Sequence, residues 1–344
     1  MTKVGIIGGS GYVGAELLRL LAGHPEFDVA AVGAESNAGS SIAALYPSLA
    51  PVYGGRSFGT NEPDGFAGLD LVFSALPHGE SQKVLPAIVD RVPHVFDLGA
   101  DFRLAADDYA EWYGHAHSCP ELLDRFTYGI VELARDEIAT AEHVAVPGCY
   151  PTTVNLALAP LLVDGIVDPT TIIADCASGV SGAGRSLKTT SLFAEVDENF
   201  GVYGLLNHRH TAEMQLVLSK LAGHAATVLF TPHLAPMTRG ILATAYARPI
   251  GGAPDTDALL ARYREFYADD PFVTVVDEPS GTKATLGSNS VHVSVRNDPR
   301  TNTIVAIACL DNLVKGAAGQ AIQAANLIAG LSETTGLPLV GLAP

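Results

Sequence analysis

The chain has 344 residues, 48% of them hydrophobic, and a formal charge of −17 from 20 Lys and Arg against 37 Asp and Glu. That length allows two domains with sizeable cores. The negative field disfavours nucleic acid and anionic membrane surfaces, but not a small anionic substrate held by local arginines.

Four widely spaced cysteines, Cys119, Cys149, Cys176 and Cys309, include no C-x-x-C pair. This argues against a metal site or a disulfide framework and fits a reducing compartment. The chain opens directly on a strand, without a signal-like charged and apolar leader, and carries no apolar run of membrane-spanning length. A cytoplasmic protein with no resident metal is the expectation.

Lys3–Ile7 reads as a buried strand. Gly8-Gly9-Ser10-Gly11-Tyr12-Val13-Gly14 follows, then an apolar-periodic helix over Ala15–Ala22. Strand, glycine turn and helix together form the setting in which a G-x-G-x-x-G frame binds a dinucleotide, with the pyrophosphate at the helix N-terminus. The spacing fits both the Gly9/Gly11/Gly14 and the Gly8/Gly11/Gly14 frames. A second strand, Asp28–Ala34, ends at Glu35-Ser36-Asn37. Glu35 there favours NAD through the ribose hydroxyl, whereas Ser36 and Asn37 can donate to the 2′-phosphate of NADP. The local chemistry leaves both open.

Gly68–Leu76 reads as a central strand whose loop, with Pro77, lines the crevice at the carboxyl edge. A helix is expected over Glu80–Val89 and a strand over His94–Gly99. Arg103 follows, either as a carboxylate or phosphate fork or in a salt bridge to Asp97 or Asp101. Asp107–Arg125, with His115, His117 and Cys119, reads as a surface excursion rather than a metal site.

His143–Val146 leads into Pro147-Gly148-Cys149-Tyr150-Pro151 and an apolar helix. A cysteine in the first helical turn feels the positive end of the peptide dipoles, which favours the thiolate. The alternative at Cys149 is a small buried hydrophobe. Cys176 and Cys309 lie in apolar strands and read as core. Ser178–Ser186 is rich in Ser and Gly, and its amides suit an anion. His208-Arg209-His210 precedes an amphipathic helix, and a histidine is the default acid/base near neutral pH. His210, which opens the helix, is favoured over His208. Asp311-Asn312 begins a stretch entering a long helix to about Leu331. The alternating first half and the later antiparallel-type strands imply an α/β chain: a doubly wound parallel Rossmann sheet, then an α+β domain.

These segments, in this order, resemble the N-acetyl-gamma-glutamyl-phosphate reductase family. The pieces that carry the likeness are Gly8–Gly14, Leu76–Gly79, Gly99–Arg103, Val146–Thr152, Ser178–Arg185, His208–Thr211 and Asp311–Gly316. The family is similar in fold to aspartate-semialdehyde dehydrogenase. The resemblance implies a Rossmann domain over 1–148, a catalytic and dimerisation domain over 149–312, and a C-terminal helix within 313–344 returning to the first domain. It also implies NADPH, an acyl-phosphate substrate, and a homodimer or homotetramer.

On this chain Cys149 becomes the expected nucleophile and His210 the acid/base, donating to the oxyanion as the thiolate leaves. Arg103, Ser181, Arg185, His208 and Arg209 become the expected substrate contacts, with Lys188 a further candidate. Gly8, Ser10, Gly11, Tyr12, Val13, Gly14, Ser36, Pro77, Gly182 and Asn312 become the expected cofactor contacts, Asn312 at the nicotinamide amide. The segment Glu35-Ser36-Asn37 lacks the basic residue that the resemblance leads one to expect after the serine. The competing readings are a reductase of another acyl phosphate, such as aspartyl phosphate, and a non-catalytic NADP(H) sensor with Cys149 as a redox switch.

Overall fold

The first apolar runs of the chain become the strands of one sheet: β1 (Thr2–Ile7), β2 (Phe27–Val32), β3 (Leu71–Ser74), β4 (His94–Asp97), β5 (Phe126–Tyr128) and β6 (His143–Ala145). Their order is β2-β1-β3-β4-β6-β5, and every pairing is parallel. Strand order reverses between β1 and β3, the switch point of a doubly wound sheet. The computed structural model describes residues 1–343. This sheet belongs to a unit made of Met1–Pro147 and Ala317–Leu337. Ile7, Val72, Val95, Leu85, Ile88, Phe102 and Phe126 pack together in its core.

Several elements differ from the sequence expectation for local reasons. The strand expected from Gly68 begins at Leu71, because Gly68 turns the chain with φ +73°. The helix expected over Glu80–Val89 is an α-turn at Ser81–Val84 followed by a 3₁₀ turn at Leu85–Ala87. Pro86 has no amide hydrogen with which to continue the α pattern. The stretch Asp107–Arg125 is not a surface excursion. His117 and Cys119 are buried, Cys119 Sγ reaches Gln82 O, and Gln82 accepts from both the amide and the hydroxyl of Ser118. Gln82 Nε2 donates to Tyr109, whose hydroxyl donates to the buried Asp101. The long C-terminal helix opens instead with a π-turn at Val314–Ala318 before the α-helix Gly319–Ile328.

The second unit spans Gly148–Gly316 together with the segment from Pro338. Its strands are β7 (Ile172–Gly179), β8 (Gly201–Val202), β9 (Val228–Ala235), β10 (Ile241–Ala247), β11 (Val273–Val275), β12 (Val291–Asp298) and β13 (Thr303–Leu310). They form one mixed sheet in the order β11-β12-β13-β10-β7-β9-β8. One face carries Ala243, Ala245, Ala306 and Ala308, all fully buried. Side chains this small let the helix Cys149–Val163 lie close against β10 and β13. That helix is buried without a break from Tyr150 to Leu162. Pro160 inside it releases the carbonyl of Leu156, which the Tyr267 hydroxyl takes, while Tyr263 donates to Ala157 O at 2.6 Å. The opposite face of the sheet presents Ile173, Leu229, Tyr246, Val305 and Ile307, part-buried or exposed.

Burial makes this fold sensitive to acid. Desolvation lowers His143 to about 4, and lowers His24 below its ordinary value. His24 Nδ1 accepts from the amides of Glu26 and Phe27, and its Nε2 meets Asn326 Oδ1 at 3.0 Å. Both histidines fold neutral, so the unfolded chain binds more protons below pH 6.5. Full stability is therefore present above pH 6.5. We expect it to fall as pH drops toward about 4, by up to about 1.4 kcal/mol per pH unit for each such histidine. Urea midpoints at pH 7.5 and pH 5 check this, and equal midpoints contradict it.

Candidate active site

The glycine turn shows which of its glycines the protein itself requires. Gly8 has φ +78°, and a Cβ there would lie 2.7 Å from Ala75 O. A Cβ on Gly9 would lie 2.4 Å from Val32, and one on Gly14 2.5 Å from the Cα of Gly9. The first turn of helix Tyr12–Leu21 thus packs backbone to backbone on the Gly8–Gly9 turn. At Gly11 the nearest atom is 3.6 Å away, ordinary van der Waals contact. Internal packing does not demand a bare Gly11. Its open backbone is a cradle that a Cβ would fill, at the start of a helix with no side-chain cap and no acid in its first turn. This arrangement fits a pyrophosphate. Tyr12 is exposed and Val13 part-buried at the same helix start.

At the end of β2, Asn37 Nδ2 donates to Ser10 Oγ and to Ser36 Oγ, each at 3.2 Å. The fingerprint and the ribose-side segment thereby form one polar group, with Glu35 exposed beside it. Pro77 is exposed past the end of β3. Arg103 is largely buried, and its Nη2 donates to Leu98 O at 2.9 Å. Its guanidinium is thus partly occupied by backbone. These residues belong to the first unit.

In the second unit Cys149 is the first residue of its helix, with Gly148 as an extended N-cap that supplies no side chain. The His210 ring lies against Gly148, where an added Cβ would be 2.5 Å from Nε2. A Cβ on Gly316, in the π-turn, would be 2.7 Å from Cys149 Cβ. Two bare backbones therefore flank the cysteine: one admits the imidazole, and the other seats the thiol. Thr152 and Thr153 return their hydroxyls to Gly148 O and Cys149 O.

His208 differs from His210 in its surroundings. Its Nδ1 accepts the His210 amide at 3.2 Å, so it holds the start of the helix His210–Ala222. Its ring is edge-on to Tyr150, Tyr203 and Phe230. Burial, aided by the neighbouring His210, pushes it down to about 3. Tyr203 donates to the Tyr150 hydroxyl at 2.9 Å, and Tyr150 donates to His233 O. Cys119 and Cys309 are pushed up to about 11, and Cys176 is raised as well, all chiefly by burial. Cys149 alone is not buried among the four cysteines.

Ser181, Gly182 and Asn312 come together. Asn312 Nδ2 donates to Ser181 Oγ at 3.0 Å, and its Oδ1 accepts from Gly240 N at 2.8 Å. Asp311 accepts from the amides of Gly287, Leu313 and Val314, which fixes the entry to the π-turn. Arg185 and Lys188 are exposed on the following loop, and Arg209 is part-buried beside His210.

Sequence reasoning passed over Glu213 and Gly316. Glu213 is 1% exposed, and its Oε2 accepts from Gly148 N at 2.9 Å. Its only sequence signal was the i+3 spacing from His210. Among the described residues no helix is long and apolar enough to cross a membrane, and no group of three or more His, Cys, Asp or Glu gathers as a metal site.

The semialdehyde dehydrogenase NAD-binding domain family matches residues 3–141, and the semialdehyde dehydrogenase dimerisation domain family matches 149–312. The N-acetyl-gamma-glutamyl-phosphate reductase of Symbiobacterium thermophilum is 48% identical, covering 97% of each chain. That of Citrifermentans bemidjiense is 47% identical over the whole of both. The chain belongs to the N-acetyl-gamma-glutamyl-phosphate reductase family. Among solved structures, an aspartate semialdehyde dehydrogenase with NADP from Candida albicans aligns with TM-score 0.74 at 17% identity, covering 96% of this chain and 98% of that one. Aspartate semialdehyde dehydrogenase II from Vibrio cholerae, complexed with ASA, gives 0.72, also at 17% and with the same coverages. At that identity these two describe the fold, which semialdehyde dehydrogenases and this reductase family share.

The glycine turn yields a direct test. Gly11→Ala should leave the melting temperature unchanged while weakening NADPH binding by at least about tenfold, because only an incoming pyrophosphate needs that space. Gly14→Ala should instead destabilise the unit. Calorimetric titration and thermal melts check both, and unchanged NADPH binding by Gly11→Ala contradicts the assignment.

Proposed function

We propose that this chain catalyses NADPH-dependent reduction of N-acetyl-L-glutamyl 5-phosphate to N-acetyl-L-glutamate 5-semialdehyde, a step of arginine biosynthesis, through a thioester on Cys149. The observation that carries this reading is the pairing of a helix-initiating cysteine with an imidazole seated on the preceding glycine. His210 accepts the thiol proton at Nε2 and passes it to the departing phosphate. The thiolate attacks the acyl carbon, and covalent catalysis divides a difficult step into two easier ones.

Bound NADPH supplies the hydride that reduces the thioester. The first amides of the Cys149 helix face the oxyanion that forms on the Cys149 adduct. After phosphate has left with the thiol proton, His210 takes a proton from solvent. That proton steadies the oxyanion, which collapses to the aldehyde as the Cys149 thiolate leaves, and then returns the thiolate to the thiol. His208 remains neutral across the working range and caps the helix, which leaves the proton to His210. Arg209, Arg185 and Arg103 offer forks for the substrate's carboxylate and phosphate. Ser10, Ser36 and Asn37 supply donors for the 2′-phosphate of NADP, Ser181 contacts substrate, and Asn312 with Gly182 faces the nicotinamide amide.

Cys149→Ser should abolish turnover while NADPH still binds. His210→Asn should lose about two to four orders of magnitude in rate, the usual general acid–base contribution, and more than His208→Asn. The reverse reaction, NADP reduction with N-acetylglutamate semialdehyde and phosphate, reads both out by absorbance. A panel including aspartate semialdehyde tests the substrate, and near wild-type turnover by Cys149→Ser would sink the mechanism.

The same reading includes a cytoplasmic homodimer or homotetramer. Cys119, Cys176 and Cys309 are free buried thiols, as suits a reducing compartment. The outward sheet face, with Ile173 39% and Leu229 50% exposed, lies in the region that matches a dimerisation domain. Leu187, Phe193 and Leu206 add exposed apolar surface in the same unit. Ile173→Glu with Leu229→Glu should shift the assembly toward smaller species in light scattering after size exclusion. An unchanged mass contradicts this interface.

A further inference from the structure

Glu213 is a buried carboxylate with no part in the chemistry described so far. It lies in the first turn of the His210 helix, where the helix dipole favours a negative charge. Oε2 accepts from Gly148 N at 2.9 Å. Oε1 lies 3.9 Å from His210 Nε2. A single side chain thus contacts the backbone immediately before the nucleophile and also faces the imidazole seated on that backbone.

We propose that Glu213 is a positioning residue that fixes the nucleophile turn through Gly148 N–H and, by its charge, favours the uptake of a proton by His210 once Cys149 is acylated. The inference rests on the reading of Cys149 and His210 given above.

The other groups around His210 do not supply this charge. His208, from the preceding segment, is held neutral by burial. Arg209 is cationic and opposes a second positive charge. From the Cys149 helix, burial raises the Tyr150 phenol and keeps it neutral, and Tyr203 behind it behaves alike. β9 contributes Phe230, which does not titrate. Cys149 is anionic only until it is acylated. During the thioester stage the Glu213 carboxylate still faces the imidazole, with Oε1 3.9 Å from Nε2. A charge within about 4–6 Å in a water-poor site favours the opposite charge by a pH unit or more. The 2.9 Å bond has a second consequence. Gly148 N–H would otherwise be a buried donor without an acceptor, and a shift of that turn moves Cys149 directly.

Glu213→Gln preserves volume and can still accept from Gly148 N–H, but it removes the charge. Titration of His210 by histidine-selective NMR in the Cys149→Ser background isolates the charge from the thiol and needs no substrate. We expect Glu213→Gln to lower the His210 midpoint by at least about one unit. In the active enzyme the same substitution should keep kcat on the acid plateau and KM near wild type. It should move the alkaline limb to lower pH, with about tenfold less activity there.

Glu213→Ala removes both functions and should also slow iodoacetamide alkylation of Cys149 relative to Glu213→Gln. An unshifted His210 midpoint overturns the electrostatic role. Equal alkylation rates in the two variants overturn the turn-fixing role. If Glu213→Ala does not fold, the Gln titration alone decides the electrostatic role. Wild-type protein without turnover on any acyl phosphate would refute the proposed function while leaving the NMR result standing, so the two failures are distinguishable.

Discussion

The second unit depends on how closely backbone can approach Cys149. Gly316 occupies a place where even a methyl group would fall 2.7 Å from the cysteine's own Cβ, well inside van der Waals contact, and Gly148 yields its side-chain volume to the His210 ring. Close packing of this kind leaves the cysteine little room for alternative positions. The π-turn that carries Gly316 is held at its start by Asp311, which accepts three backbone amides. Asn312, the next residue, ties the same turn to Ser181 and Gly240. The thiol is therefore placed by three separated stretches of chain that converge through hydrogen bonds rather than by its own helix alone.

The same logic separates the two histidines. They are two positions apart and chemically identical in sequence, yet one accepts a backbone amide inside an aromatic box and the other faces a carboxylate across a bare glycine. Environment, not residue type, makes one a structural cap and suits the other to carry a proton. The four cysteines are sorted in the same way, since burial keeps Cys119, Cys176 and Cys309 as thiols. The two matched domain families cover residues 3–141 and 149–312.

Much was legible in the sequence because the relevant physics is local. A glycine turn between a strand and a helix can be recognised from a dozen residues, and so can a cysteine opening an apolar helix. The α/β first half and the α+β second half followed from the spacing of apolar runs, whereas the parallel pairings of β7 with β9 and of β11 with β12 did not. The failures were also instructive. His117 and Cys119 lie in a polar stretch, so their burial could not be read from composition. Cys119 is covered by Gln82, 37 residues away, and the His117 ring packs against Phe102 and Tyr109. The π-turn was invisible because its residues suit an α-helix equally well, and only contact with Cys149 and the Asp311 cap selects the wider turn.

The sequence by itself determined the class of fold, the dinucleotide fingerprint, the family and which cysteine opens an apolar helix, because each depends on residue type and short spacing. Tertiary structure decided which histidine accepts a backbone amide and which faces a carboxylate, that Gly11 has open space while its neighbouring glycines are packed, and that Glu213 stands behind the Gly148–Cys149 turn. Those facts depend on distances between residues such as Gly148 and Glu213, which sequence spacing does not encode and only packing sets.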